Sequence, residues 1–360
     1  MYGFTPTDEQ KMLIDAVARY SKSDLRPAAH DAEEEKKLPQ KLIGKGWELG
    51  VLQASTPEAY GGFGERSAVT GVLAAEELAW GDLSGALAVM SPGLFVLPIL
   101  LAGSEEQKTE FIPPVIEADW HPYTAALIEP NFDFDPNELR TVAKADGEDY
   151  VLDGVKTYVP FAAEAEALVV YASLDGVTKG FIVQTSADGL SVSERIKLMS
   201  LNALPLYQVS LKGVRVSKSN LLAGDFTPVL AAMRVTNAAL AVGVSKAALE
   251  YARDYAKERD AFGVKIAQKQ AIAFMLAEMA MEIEATRLLT WEAAWKLDAR
   301  KEDAASEAYL AATSAVDMAM MVTDRAVQIL GGHGYIRDHP VEMWMRNGRG
   351  FATFTGLAIV

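Results

Sequence analysis

The sequence predicts an α+β fold in three parts: an N-terminal helical domain over residues 1–120, a central β domain over 121–224 and a C-terminal helical bundle over 225–360. Three observations carry this. Apolar residues recur at helical spacing at both ends of the chain. Between them lie short β-rich runs separated by turns. The chain has 360 residues, 50% of them hydrophobic and 23% charged, enough to bury more than one core.

In the first part, Met12, Leu13, Ala16, Val17 and Tyr20 mark one helical face, and Pro39, Pro57 and Gly61-Gly62 break the pattern. Pro92 and Pro98 bracket an apolar stretch. Ser104 followed by Glu105 and Glu106 reads as a serine N-cap with acidic first-turn residues. The texture changes near His121. Tyr150-Val151-Leu152, Leu168-Val169-Val170-Tyr171 and Phe181-Ile182-Val183 are strand candidates, punctuated by Ala145-Asp146-Gly147 and Ala187-Asp188-Gly189, which predicts a small antiparallel sheet or barrel. After Phe226 the helical period returns in blocks near 227–258, 267–299 and 303–330, with a shorter one from Pro340, the pattern of a bundle of antiparallel neighbours. Met275, Met279, Met281, Met318, Met320 and Met321 are expected to fill its core.

Composition excludes several classes. The chain carries 34 basic against 49 acidic residues, a net charge of −15, which disfavours nucleic acid and anionic bilayers as partners. No cysteine is present, so disulfides, thiolate nucleophiles and cysteine-ligated metals are excluded. No secretory leader pattern opens the chain and no apolar run reaches ~18 residues. The expectation is a cytoplasmic protein without membrane insertion. The four histidines, at 30, 121, 333 and 339, have no metal-ligand spacing. GxSxG, GxxxxGK[ST] and GxGxxG are all missing, which removes the usual supports for serine acyl transfer, nucleotide hydrolysis and Rossmann-type binding.

Other motifs are present. Glu258-Arg259-Asp260-Ala261-Phe262-Gly263, then Gln270-Ala271-Ile272, then Gln328-Ile329-Leu330-Gly331-Gly332-His333-Gly334-Tyr335 stand in the bundle. Upstream come Tyr60-Gly61-Gly62-Phe63-Gly64, Glu76-Glu77-Leu78 and Gly103-Ser104 with Gln107-Lys108. In this order and spacing they resemble the acyl-CoA dehydrogenase family over nearly the whole chain. The resemblance implies an N-terminal helical domain, a central β-barrel-like domain and a C-terminal four-helix bundle. It also implies a CH–CH oxidoreductase that removes two hydrogens across Cα–Cβ of an acyl-CoA thioester. FAD takes the hydride and an electron-transferring flavoprotein reoxidises it.

Each FAD of that family lies across a subunit interface, one chain cradling the isoalloxazine and the other holding pyrophosphate and adenosine. The residues for the second task are kept here as Arg259, Phe262, Gln270, Gln328, Gly331 and Gly332. Taken singly, Phe262 could be plain core and the glycines a helix C-cap. The residues for the first task depart from the family. The loop T-E-P-x-x-G-S-D reads Ile128-Glu129-Pro130-Asn131-Phe132-Asp133-Phe134-Asp135, with Phe134 in place of serine. The W-I-T segment reads Tyr158-Val159-Pro160, and proline offers neither N–H nor hydroxyl. In the Y-E-G-T-x-Q segment, Thr355 stands where the glutamate base does. The alternative base position, one residue before an arginine on the first bundle helix, is Met233. The arginine itself, Arg234, is kept as the substrate-side residue, while the aspartate three positions before it is Ala231. A threonine hydroxyl does not take an α-proton near neutral pH.

This asymmetry implies a non-catalytic partner subunit of a heteromeric, α2β2-type acyl-CoA dehydrogenase, completing the FAD site of a catalytic sister chain within a tetramer. Val159-Pro160 with Ala162, Ala165 and Leu168-Val169-Val170 is similar to the corresponding stretch of actinobacterial steroid-degrading members, so lipid or steroid catabolism is the expected setting. Three alternatives stay open. One is a homo-oligomeric relative of different chemistry, of the desulfinase type. Another is a dehydrogenase with a relocated base among Asp133, Asp135, Asp338 and His339. The third is a scaffold that has lost flavin.

Overall fold

A computed structural model describes residues 5–117 and 119–360. Among the described residues, nine α-helices form the N-terminal layer: α1 (Asp8–Tyr20), α2 (Arg26–Glu35), α3 (Gln40–Trp47), α4 (Val51–Ala54), α5 (Ala68–Gly81), α6 (Leu83–Met90), α7 (Gly93–Ala102), α8 (Glu105–Phe111) and α9 (Pro113–Ile116). Their ends follow local chemistry. Thr7 and Ser104 each close a reciprocal capping box with the glutamine three residues on, Gln10 and Gln107. The predicted serine cap is therefore present. Pro92 precedes α7 as expected, while Pro98 lies inside that helix.

The β domain contains β1 (Thr124–Ala126), β2 (Val142–Asp146), β3 (Asp149–Pro160), β4 (Ala167–Leu174), β5 (Val177–Gln184), β6 (Leu190–Val192), β7 (Leu206–Ser217) and β8 (Leu221–Leu222). They pair in the order β6-β7-β3-β2-β4-β5-β8, with β1 added beside β4. The sheet is mixed rather than antiparallel, because β1 and β2 both run parallel to β4. A parallel neighbour needs a long crossover, which a reading of adjacent turns cannot detect. Leu152, Val170, Phe181, Val209 and Val214, from β3, β4, β5 and β7, share one core, so the sheet wraps its own interior like a barrel.

The bundle comprises α10 (Thr227–Glu258), α11 (Gln270–Asp298), α12 (Ala304–Leu330) and α13 (Val341–Gly350), with a small hairpin of β9 (Asp260–Ala261) and β10 (Val264–Lys265) after α10. By length and composition α10 could cross a membrane. Its most apolar window has a mean hydropathy of 1.3 but is 83% buried by the other elements, so it is the bundle's core helix. Met279 and Met318 are core residues, as expected. Met281 and Met320 are not: they are 68% and 38% exposed and face outward.

Side-chain pairs lock the bundle to the N-terminal layer. Asp298, at the end of α11, accepts from the N–H groups of Ala68 (2.6 Å) and Val69 (3.1 Å) and so caps α5. Glu76 pairs with Arg287 at 2.8 Å and Glu77 with Lys246 at 2.6 Å. Gln107 donates to the carbonyls of Ser219 (2.6 Å) and Leu221 (3.0 Å), joining α8 to the β domain. Several of the motif residues upstream of the bundle are thus architectural.

Candidate functional site

Arg259 ends α10. Its N–H donates to the Tyr255 carbonyl and its own carbonyl accepts from Ile266 N–H, each at 2.9 Å, which turns the chain into the β9–β10 hairpin. Phe262 and Gly263 sit at the tip with φ of 55° and 80°. Phe262 is 95% exposed, so it is not a core residue. Across from this hairpin α12 stops at Gly331, whose φ of 59° and ψ of −130° favour glycine. A Cβ at Gly331 or Gly332 would meet nothing within 4 Å, so the backbone there is open to an approaching ligand.

These two ends form a pocket of about 310 Å³ lined by Arg259, Gly331 and Gly332 together with Tyr255, Ile266 and His333, among others. Among the described residues, no hydrogen bond or ion pair engages the Arg259 guanidinium. A free guanidinium facing open glycine backbone suits a diphosphate, since charge-assisted hydrogen bonds are the strong ones. Phe262, Gln270 and Gln328 are exposed on the same end of the bundle but lie outside this lining.

Two further residues of the pocket were not singled out from sequence. Tyr255 Oη lies 2.7 Å from His333 Nδ1, and one turn earlier Tyr251 Oη lies 2.8 Å from His339 Nδ1. The two imidazoles stack, 5.4 Å between centroids and 17° apart. The available signal was spacing: Tyr255 precedes Arg259 by four residues, hence shares its helix face, and His333 stands inside the Gly-Gly-His-Gly run.

The segments expected to flank the flavin ring lie in the β domain. Glu129 and Lys156 form a fully buried ion pair at 2.8 Å. Glu129 also accepts from the N–H groups of Arg140 and Thr141, each at 2.8 Å. Burial pushes the Glu129 carboxyl up, but Lys156 and the Thr141 donors outweigh it and hold it below the usual range. Burial lowers Lys156 to about 8, against the pull of Glu129. This pair ties the loop after β1 to β3 and is structural. Downstream, Phe134 is half-buried against two core clusters. Pro160 pairs with Leu206, and the Phe161 N–H beyond it donates to the Pro205 carbonyl at 3.0 Å.

Thr355 and Met233 stand at the two positions where the resemblance expects a base. Thr355 is half-buried between buried Phe354 and Gly356, and Met233 is fully enclosed. Arg234 is half-buried with its guanidinium 5.0 Å above the Tyr309 ring, and burial lowers it from its ordinary value. The four candidates for a relocated base lie apart from these two positions in sequence. Asp133 is exposed and held below its ordinary value by Asn131 first and by Arg140. Asp135 accepts from the Asn137 N–H two residues on, and Asp338 is exposed. His339 is occupied by Tyr251.

Comparison with known proteins gives the context. Models of the acyl-CoA dehydrogenase N-terminal, middle and C-terminal domains match residues 7–119, 124–214 and 226–358. The short-chain specific acyl-CoA dehydrogenase of Sus scrofa mitochondria is 34% identical over 94% of this chain and 84% of the pig protein. The chain belongs to the acyl-CoA dehydrogenase family. Its fold is that of the family: butyryl-CoA dehydrogenase from Megasphaera elsdenii superposes with a TM-score of 0.89 at 29% identity, covering 99% of this chain and 96% of that one. A Mycobacterium smegmatis glutaryl-CoA dehydrogenase solved with FADH2 gives a TM-score of 0.85 at 26% identity, over 98% and 92% of the two chains. Family chemistry varies: a 3-(aryl)acrylate reductase of Clostridium sporogenes is 32% identical over 98% of this chain and 96% of its own. FAD is the family's cofactor, and a free guanidinium beside open glycine backbone is the kind of donor set a pyrophosphate needs.

Proposed function

We propose that this chain is the non-catalytic partner subunit of a heteromeric acyl-CoA dehydrogenase, completing the FAD sites of a sister chain that carries the base. The observation that carries this reading is the division of the site. Arg259, Gly331 and Gly332 converge on one open pocket, whereas Thr355 and Met233 stand at the base positions and Phe134 and Pro160 at the positions that flank the ring. Bound flavin supplies the hydride acceptor. This chain's share is binding: the Arg259 guanidinium donates to the pyrophosphate and the glycines admit its oxygens to backbone N–H groups. Phe262, Gln270 and Gln328, on the same exposed bundle end, extend that surface toward the sister's cofactor. Arg234 stays on the acyl-CoA side. An electron-transferring flavoprotein would take the electrons from the assembled flavin.

The bundle surface supports assembly. Phe274, Met281 and Leu288 recur every seven residues along α11 and are 58%, 68% and 42% exposed, with Leu310 of α12 at 54%. An apolar stripe of this kind on a long helix is a surface made to be covered. The tetramer would place these helices against a neighbouring family chain.

The test is flavin content. Purified alone, the chain should be nearly colourless and should not be reduced by an acyl-CoA. Co-expressed with a sister that has an intact glutamate, it should yield a yellow complex with about one FAD per pair. A yellow homotetramer carrying one FAD per chain, bleached by acyl-CoA, would overturn the reading in favour of a dehydrogenase with an unrecognised base. The same homotetramer with no acyl-CoA response would favour the desulfinase-like class.

A further inference from the structure

We infer that the outward face of α11 and α12 selects its partner by charge. It takes the bundle of a different chain whose facing helix carries lysines or arginines, and it turns away a second copy of itself. The inference rests on the reading of this chain as a partner subunit and adds the chemistry by which the sister is recognised.

α11 and α12 lie side by side, joined by a hydrogen bond between the Thr286 and Ser314 hydroxyls at 3.1 Å and by the Glu278–Arg325 ion pair at 2.5 Å. Their exposed lines differ. On α11 the exposed positions seven apart are apolar: Phe274, Met281 and Leu288. On α12 a line of the same interval opens with Leu310 and continues as Asp317 and Asp324, both exposed. Seven residues make about two helical turns, so each line keeps to one face of its helix. Glu278, Glu282 and Glu284 are exposed beside the α11 line.

Cations do not balance these carboxylates. The basic residues of the two helices are Arg287, Lys296 and Arg325. Each is held within the chain, Arg287 by Glu76 and Glu284, Lys296 by Asp303 and Glu307, and Arg325 by Glu278. Among the described residues, Glu282, Asp317 and Asp324 make no ion pair.

A two-fold contact presses a patch against its own copy. Laid on itself, this face sets α12 against α12, where Asp317 and Asp324 meet carboxylates, or α12 against α11, where they are covered by the apolar line beside Glu278 and Glu282. Either arrangement takes unpaired carboxylates out of water, which is costly. A facing helix with an apolar line and with Lys or Arg at the matching interval covers the stripe and pairs the carboxylates at once. The face also adjoins the surface given to the sister. Gln270 lies one turn before Phe274 on α11, Gln328 lies one turn after Asp324 on α12, and both are exposed.

The probe is this chain with its own charges reversed. Glu282→Lys, Asp317→Lys and Asp324→Lys together replace exposed side chains that have no ion pair, so the fold should hold. Sedimentation velocity of full-length chains, one of them labelled with a fluorophore, compares each alone with the equimolar mixture. In low salt the mixture should form a mixed species at least about tenfold tighter than either chain forms with itself. Met281→Glu in the unaltered partner should abolish it. In about 1 M salt, where charges are screened beyond about 3 Å, the preference should disappear.

A mixture with no preference over the separate chains, or a preference that ignores salt, would overturn charge selection. So would a homo-oligomer of the unaltered chain that Met281→Glu dissolves in low salt, since this face would then accept a second copy. If the lysine variant fails to fold, Asp317→Asn with Asp324→Asn serves instead: removing the repulsion should strengthen self-association in low salt, and an unchanged profile would overturn the inference. Mass is read here and flavin content is not. A mixed species from a chain that proves to carry its own FAD would leave the surface assignment standing and remove the partner-subunit reading; no mixed species from a chain that completes a sister's flavin would do the reverse.

Discussion

Replacing Arg259 by alanine should separate cofactor holding from folding. The side chain is exposed at the end of α10, and among the described residues its guanidinium makes no ion pair or hydrogen bond. The helix end depends instead on backbone bonds, Arg259 N–H to Tyr255 and Ile266 N–H to Arg259, which alanine can make. Surface changes of this kind usually stay within about 0.5 kcal/mol of neutral, so thermal unfolding should hardly move. The loss on the ligand side is larger. A hydrogen bond to a charged group contributes roughly 1.5–3 kcal/mol, which corresponds to about a ten- to a hundredfold weaker hold on FAD. In a co-expressed complex the variant should assemble normally, emerge from gel filtration depleted of flavin, and regain activity when FAD is supplied in excess. Absorbance in the flavin band against protein concentration is the measurement. A variant that keeps its full flavin through gel filtration would show that Arg259 is only a solvated helix-end charge.

Further expectations follow from other parts of the molecule. Thr355→Glu should not by itself create a dehydrogenase, because Phe134 and Pro160 still stand at the ring-side positions; turnover within an order of magnitude of an ordinary family enzyme would refute that. Burial raises Asp82, the N-cap of α6, to about 7, with Glu33 adding to the rise and the Gly85 N–H opposing it. A carboxyl whose folded pKa exceeds its unfolded one costs stability as pH climbs from about 4 to 7, so Asp82→Asn should raise Tm at pH 8 and by progressively less as pH falls toward 4; equal effects at pH 8 and pH 4 would contradict the assignment. Removing one member of the Glu129–Lys156 pair should cost about 3–5 kcal/mol, and Glu129→Leu with Lys156→Met together should cost less than either alone, as read by denaturant unfolding. Met281→Glu, in the outward stripe of α11, should reduce the assembly to smaller species by light scattering with helix content retained. An unchanged oligomer would place the interface elsewhere.

Much of this protein follows from local information. Three long helical periods near 227–258, 267–299 and 303–330 became helices almost at those limits, because apolar spacing, Pro228 in the first turn of α10 and the glycine after Leu330 act within a few residues. The serine cap at Ser104 was legible for the same reason. Arg259 and Gly331–Gly332 were legible as motif residues, and they do meet in one pocket. What decided the rest was contact between segments far apart in the chain. Parallel pairing of β1 and β2 with β4 depends on crossovers, and no spacing rule reports them. Met281 and Met320 have the composition of core residues, yet the helix face they occupy is set by how α11 and α12 pack on α10. The stacked His333 and His339, with Tyr251 and Tyr255 from another helix, exist only because the end of α10 meets the turn after α12. Hydrophobic periodicity specifies which face of an element is buried. Which polar side chains then find each other is fixed by the packing of whole elements, and that is a tertiary outcome.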